Sequence, residues 1–310
     1  MKLLVLSGCA HLAFVHYLKA THPDWDIRAV VPVQAEKWLA EKHEGFLGFL
    51  ADLDIFVGLT DRDIVNEHLA EKTQLVPLPS FSYFGHHPDV IFMKTPVSVM
   101  ERGNAQSRLA LAGWLSGLSC AETETLFTDE TYARLGYYDR RTTARAETEK
   151  AFANRGLDIS GLMDRWIDEP GFLYYPSHPK IAFFFDLVHE TMVQAGHTPE
   201  ISDAALAQAR ADTHDYLADG VHWPIYPEVA AHHGIAASPA DWRSSAAKGK
   251  GEHFGLTEMI RRSYTIYDAN AALRDQMQAA LGGPDEVARY VNRGAALSAE
   301  TPGARLGAEG

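Results

Sequence analysis

The sequence predicts an α/β protein: a parallel, doubly wound (Rossmann-like) sheet with a mainly helical second half. Two patterns predict it. Over roughly the first ninety residues, short apolar runs alternate with amphipathic segments, the order that builds βαβ units. Beyond Thr95 the apolar residues fall at helical spacing almost throughout.

Leu3–Leu6 reads as the first strand and Leu12–Lys19 as the helix after it, with Leu12, Val15 and Leu18 on one face. Ile27–Val33 reads as the second strand, followed by a helix from about Ala35 to Leu50. Leu53–Leu59 is the third strand, and Asp61–Lys72 a helix that Asp61 or Thr60 can cap. Gln74–Leu78 is the fourth strand and Val90–Met93 a candidate fifth. Ala105–Leu118, Cys120–Leu135, Thr142–Asn154, Ser160–Asp168, Lys180–Ala195 and Asp203–Leu217 all favour helix. Trp223–Gly234 is a Pro- and His-rich connector with a short helix, and Gly255–Leu281 returns to helix. The expected organisation is a sheet portion over 1–98, a helical portion over 99–296 that completes a cleft, and a disordered Ala/Gly/Glu-rich tail over 297–310.

With 310 residues, 46% hydrophobic and 22% charged, the chain can bury a large core. No apolar run approaches the roughly 20 residues that span a bilayer. Leu6-Ser7-Gly8-Cys9 spells a lipoprotein cleavage box, but only Leu3 to Leu6 are apolar before it, short of the roughly seven that a signal needs. Two cysteines, Cys9 and Cys120, are too few for a disulfide scaffold, so the cytoplasm is the expected compartment. A formal charge of −13 argues against a nucleic-acid partner, though not against an anionic ligand held by a local basic cluster. The 15 histidines are scattered, with no His-Glu-x-x-His and no Cys-x-x-Cys, so no metal site is expected.

Three segments carry candidate chemistry. In the first, Ser7-Gly8-Cys9-Ala10-His11, Cys9 falls between a strand and a helix, at the sheet edge where open α/β proteins bind ligands. The helix dipole favours a thiolate there. Gly8 admits close backbone approach, and the amides of Cys9, Ala10 and His11 could face an anion. The alternatives are a buried structural cysteine and a surface histidine. In the second, Pro79–Asp89, His87 offers a base and Asp89 an orienting partner, although His-Pro-Asp is also a turn sequence. In the third, Tyr174-Tyr175-Pro176-Ser177-His178-Pro179, Ser177 or His178 should cap the following apolar helix, with Pro179 in its first turn. His178 at that helix N-terminus would have a lowered pKa, suited to a general base. Lys248, Lys250, Arg261 and Arg262 form the densest basic stretch and are candidate phosphate contacts; a solvated loop explains them equally.

Together, in this order and spacing, Ser7-Gly8-Cys9-Ala10, His87-Pro88-Asp89 and Ser177-His178-Pro179 resemble the WcbI-like polysaccharide biosynthesis family. The Gly113–Tyr137 region and Tyr226-Pro227-Glu228-Val229 are also similar to it. That family pattern has Gly-Asn-Cys-Gln in the first motif and Asn-His-Pro in the third. Here Ser7, Gly8 and Ala10 replace the Gly, Asn and Gln, and Ser177 stands where Asn is usual. The resemblance implies coenzyme A or acetyl-CoA as substrate and acyl transfer, expected to be acetyl, to a sugar hydroxyl of a capsular or other surface polysaccharide. It implies Cys9, His87, Asp89 and His178 as catalytic candidates. With CoA as the ligand, Gly8, Ala10, His11 and Ser177 are candidate binding residues, and Lys248, Lys250 and Arg261 of the basic stretch are candidate contacts for its phosphates, with homo-oligomerisation left open. A binding protein of the same fold, or a Cys/His hydrolase, would fit the same residues.

Overall fold

The computed structural model describes residues 1–8, 10–58, 63–95, 98–100, 104–169, 171–235, 241–244 and 251–292. Strands β1 (Lys2–Leu6), β2 (Asp26–Val30), β3 (Ile55–Gly58) and β4 (Gln74–Pro77) form one parallel sheet in the order β2-β1-β3-β4. Helix α1 (His11–Thr21) links β1 to β2; α2 (Pro32–Ala40) and α3 (Glu44–Ala51) carry the chain back across to β3. The chain thus winds outward in both directions from β1 and β3. Their carboxyl ends flank the switch point where such sheets open a crevice.

Parallel sheets need both faces covered. Alternation along β1 supplies both: Leu3 and Val5 face the side packed by α1, while Leu4 and Leu6 face α2 and α3. On the α1 side, Phe14, Tyr17 and Leu18 pack with Phe183, Phe184 and Val188 of a later helix. On the other, Phe46, Phe49 and Leu50 cover Phe56 and Leu6. The single helix expected over Ala35–Leu50 breaks at Lys42, held at φ 50°, and His43 caps the second piece by accepting from the Phe46 amide at 3.1 Å. Between β3 and β4 a short 3-10 turn (Asp63–His68) stands where a longer helix was expected.

The candidate fifth strand, β5 (Val90–Phe92), does not extend the sheet. It pairs antiparallel with β6 (Ala105–Ser107), residues expected to be helical. Helix α4 (Arg108–Leu115) starts after them, capped by the Ser107 hydroxyl. The stretch 120–135 divides into α5 (Cys120–Glu124) and α6 (Asp129–Leu135), because Thr128 caps the second piece. Helices α7 (Arg140–Ala153) and α8 (Ser160–Trp166) follow. The antiparallel pair β7 (Leu173–Tyr175) and β8 (His178–Pro179) then leads into α9 (Ile181–Gln194). The expected Ser177 or His178 cap is therefore corrected: both belong to the hairpin, and the Ile181 amide donates instead to Asp215 Oδ2 at 3.3 Å.

Helix α10 (Asp203–Asp212) ends before a 3-10 turn at Tyr216–Asp219. Beyond it come α11 (Pro227–His233), the short pair β9 (Trp242–Arg243) and β10 (His253–Phe254), α12 (Leu256–Ala269), α13 (Arg274–Leu281) and α14 (Pro284–Val291). Elements α4, α12, α13 and α14 build a second core around Leu109, Ile260, Met277 and Tyr290, whereas α8 and α9 join the core of the sheet. Residues 297–310, expected to be a tail, lie outside the described residues. Among the described residues no helix is long and apolar enough to cross a membrane.

The second motif runs between these cores, and its Gly85–Asp89 part is buried. His86 and His87 are 0% and 2% exposed. His86 Nε2 donates to the Ile167 carbonyl at 3.1 Å and His87 Nε2 to the Trp223 carbonyl at 2.9 Å. Burial drives both imidazoles toward the neutral form, His86 to about 3 and His87 to about 4. Asp89 is as deeply buried and accepts from the Leu109 amide at 3.0 Å, Tyr137 at 2.8 Å and Tyr226 at 2.7 Å. Burial raises its pKa and those donors oppose the rise.

Two outcomes follow from this packing. Truncating Phe183, which is fully buried and 4.5 Å from the Phe81 ring, should cost about 3–5 kcal/mol in urea denaturation. Below pH 6.5 the unfolded state protonates both histidines while the folded state does not, so it binds more protons and stability falls with acidification. From pH 6.5 down to about 4 the slope approaches about 1.4 kcal/mol per pH unit per histidine. Thermal melts of His87→Phe should show a shallower slope over that window; an unchanged slope would contradict the assignment.

Candidate functional site

A cavity of about 210 Å³ opens at the carboxyl edge of the sheet. Ser7, Gly8 and Ala10 line it from the turn after β1; Leu78, Pro79, Ser80 and Phe81 line it from the segment after β4. Ser177 and His178 enter from the β7–β8 hairpin, and Phe14, Phe184 and Leu187 form an apolar wall. The first and third sequence motifs thus meet in one place, with the start of the second between them. Cys9 lies outside the described residues; its chain neighbours Gly8 and Ala10 both border the cavity.

The turn after β1 is positioned from both sides. The Ser7 amide donates to the Val30 carbonyl at 3.3 Å, extending the pairing of β1 with β2. His11 turns back on Gly8: its backbone amide reaches the Gly8 carbonyl at 3.3 Å and its Nδ1 at 2.8 Å. A carbonyl can only accept, so His11 Nδ1 is the donor. The His11 amide is thereby spent within the turn instead of facing an anion. A Cβ built on Gly8 meets nothing within 4 Å, and its φ is negative or extended, so Gly8 fronts open space without a backbone requirement for glycine.

Burial alone lowers the pKa of His178, and Ser177 Oγ sits 3.3 Å from its Nδ1. The cause differs from the helix N-terminus expected from the sequence, but the outcome is the same: an imidazole neutral at pH 7 beside a cavity. The Ser177 hydroxyl can donate or accept here; in the tautomer with the proton on Nδ1, Nε2 holds the free lone pair.

His87 and Asp89 are not among the residues lining this cavity. Neither do they form a pair: His87 Nδ1 has no partner, and Asp89 is engaged by Tyr137, Tyr226 and the Leu109 amide. The expectation that Asp89 orients His87 is corrected on that ground. Arg261 is held by Glu258 at 2.5 and 2.6 Å and lines a different cavity, of about 570 Å³, with Arg262 and Ile266. Lys248 and Lys250 lie outside the described residues. Among the described residues no cluster of His, Cys, Asp or Glu could hold a metal ion. Sequence reasoning missed the apolar wall. Phe184 and Leu187 sit three apart in a helix that is apolar nearly all round, which hides the face that meets the cavity.

No family model matches the chain, and no curated protein matches it. A solved structure does. WcbI, described as a polysaccharide biosynthesis enzyme, in its native form without a disulfide bond between coenzyme A and one of its cysteines, matches with a TM-score of 0.66. The match covers 94% of this chain and 97% of that one at 13% identity. The architecture is that of WcbI over nearly the whole length of both chains.

Proposed function

We propose that this protein is a CoA-dependent acyltransferase of polysaccharide biosynthesis, carrying an acyl group, taken as acetyl, to a sugar hydroxyl. One observation carries the reading: Gly8 and Ala10, which flank Cys9 in the sequence, share a cavity with His178. The support from outside the chain is a fold shared with a polysaccharide biosynthesis enzyme described in relation to coenzyme A and a cysteine. A volume of about 210 Å³ is below the roughly 300–1,000 Å³ of whole-ligand sites, so it suits the reacting end of a thioester. The open space in front of Gly8 is where that end would lie.

In the direct route, His178 Nε2 takes the proton of the sugar hydroxyl as its oxygen bonds to the acyl carbon. The carbon–sulfur bond breaks, and the same imidazole returns the proton to the departing thiolate. In the covalent route, His178 takes the Cys9 proton as the Cys9 sulfur bonds to the acyl carbon, the carbon–sulfur bond to CoA breaks and the proton passes to the departing CoA thiolate. The imidazole then takes the sugar hydroxyl proton as the sugar oxygen displaces Cys9, and returns it to the Cys9 thiolate. Cys9 and His178 are the catalytic candidates, and Ser177 Oγ is the hydrogen-bond partner of His178 Nδ1. His87 and Asp89 act on the scaffold.

Intact mass after incubation with acetyl-CoA separates the routes: an acetyl adduct absent from Cys9→Ala indicates the covalent one. His178→Ala should lower kcat/KM by about 10²–10⁴-fold in either. Because burial lowers the pKa of His178, the base is deprotonated above its folded value. The acid limb of kcat/KM should therefore lie below pH 6.5 with a flat profile from there to neutrality. Gly8→Leu places a side chain in open space; it should leave the melting temperature near wild type while weakening acetyl-CoA binding at least tenfold by calorimetry. Ester hydrolysis indifferent to CoA would replace this reading with a hydrolase. Tight CoA binding without transfer to any sugar would replace it with a binding protein.

A further inference from the structure

From Ser80 to Phe84 burial alternates: Phe81 and Tyr83 are buried, while Ser80, Ser82 and Phe84 are exposed or half-buried. Phe81 turns inward against Phe183, at 4.5 Å between rings, and borders the cavity of His178. Ser80, Ser82 and Phe84 turn toward α7, where Ala144, Glu147, Thr148, Ala151 and Phe152 form one helix face by their spacing. Between the two lies a second cavity of about 110 Å³, and Ser80 lines both.

The two cavities differ in chemistry. The larger holds the imidazole and an aromatic–aliphatic wall. The smaller is lined by Ser80, Ser82, Glu147 and Phe84, which bring two hydroxyls, a carboxylate and an aromatic ring. Arg140 binds Glu147 at 2.7 and 2.8 Å and lowers its pKa, so it is ionised at neutral pH. A carboxylate offers about four lone-pair directions, and Arg140 occupies two. Those left, with the serine hydroxyls, suit donors that come in rows along one edge of a ligand. The Phe84 ring and the methyls of Ala144 and Ala151 suit carbon–hydrogen faces. A ligand with a row of hydroxyls on one edge and an apolar face is a sugar ring.

We infer that the cavity between the Ser80–Phe84 segment and α7 is the subsite that seats the acceptor sugar, delivering one hydroxyl past Ser80 to His178. The inference rests on the acyltransferase reading for its role, but not for its ligand. At about 110 Å³ the cavity grips one edge of a ring and leaves the rest of a chain in solvent.

The test uses the full chain with acetyl-CoA as donor and the methyl glycosides of glucose, galactose and mannose as probes. Glu147→Gln removes the charge, and Ala151→Trp fills the cavity from an exposed helix position. Both should leave acetyl-CoA affinity unchanged while kcat/KM for the glycoside falls tenfold or more. Glycoside kinetics equal to wild type in both variants overturn the inference. So does a loss of acetyl-CoA affinity in step with transfer, which would mean one site and not two. If the wild type transfers to no probe, the acyltransferase reading fails for these sugars and saturation-transfer NMR decides the subsite separately. Glycoside signal present in wild type and lost in Ala151→Trp supports it; no signal, or equal signal, overturns it.

Discussion

The Asp89 carboxyl is the fixed point between the two halves of this protein. It has essentially no solvent, and its partners come from three distant parts of the chain: the start of α4 through the Leu109 amide, the end of α6 through Tyr137, and the approach to α11 through Tyr226. Its own carbonyl accepts from the Arg108 amide at 2.8 Å. Donors left unpaired in such a place cost about 1–3 kcal/mol each, so the set holds together or not at all. The segment Pro79–Asp89 is consequently tied at both ends, to the sheet where the Leu78 amide meets the Gly58 carbonyl and to the helical half at Asp89. Midway, the Tyr83 amide donates at 2.8 Å to the Pro176 carbonyl, next to Ser177 and His178. The wall of the cavity and the hairpin that brings the imidazole are therefore one mechanical unit, anchored remotely by a carboxyl group that does not line the cavity.

That arrangement explains what was legible in the sequence and what was not. The sheet could be read because parallel strands buried on both faces are unbroken apolar runs, as in Leu3–Leu6 and Ile55–Val57. The placement of Gly8 and of Pro79–Phe81 at one edge followed from topology, since turns after parallel strands emerge together; Ser177 and His178 reach it from an antiparallel hairpin. His87 and Asp89 carried the right side chains for catalysis, but a His-x-Asp spacing says nothing about burial, and burial decided their role. Tyr137 and Tyr226 lay in stretches that resembled a known family, yet nothing local marks a tyrosine as the partner of a carboxyl group some fifty or more residues away. The hairpin at 173–179 was hidden for a related reason: Pro176 and Pro179 fit a helix start as well as a turn, and only the pairing of Leu173 with Pro179 distinguishes them.

The electrostatics of the cavity narrow what its chemistry can be. Among the described residues none of its lining side chains is Lys or Arg, and its only titratable group is an imidazole kept neutral by burial. That described lining offers no cation to a phosphate; in the proposed reaction it would meet the uncharged thioester and the uncharged hydroxyl. A polyanionic carrier would have to lie outside it, toward groups that are not part of the lining. In the proposed reaction, proton removal from a hydroxyl is the step that creates charge, and His178 is the group that would share that charge as it appears. An imidazole already protonated at neutral pH could not accept the proton, so the burial that lowers its pKa keeps it ready to act. The same physical effect, applied completely at His87 and incompletely at His178, makes one histidine part of the scaffold and leaves the other facing a space a substrate can enter.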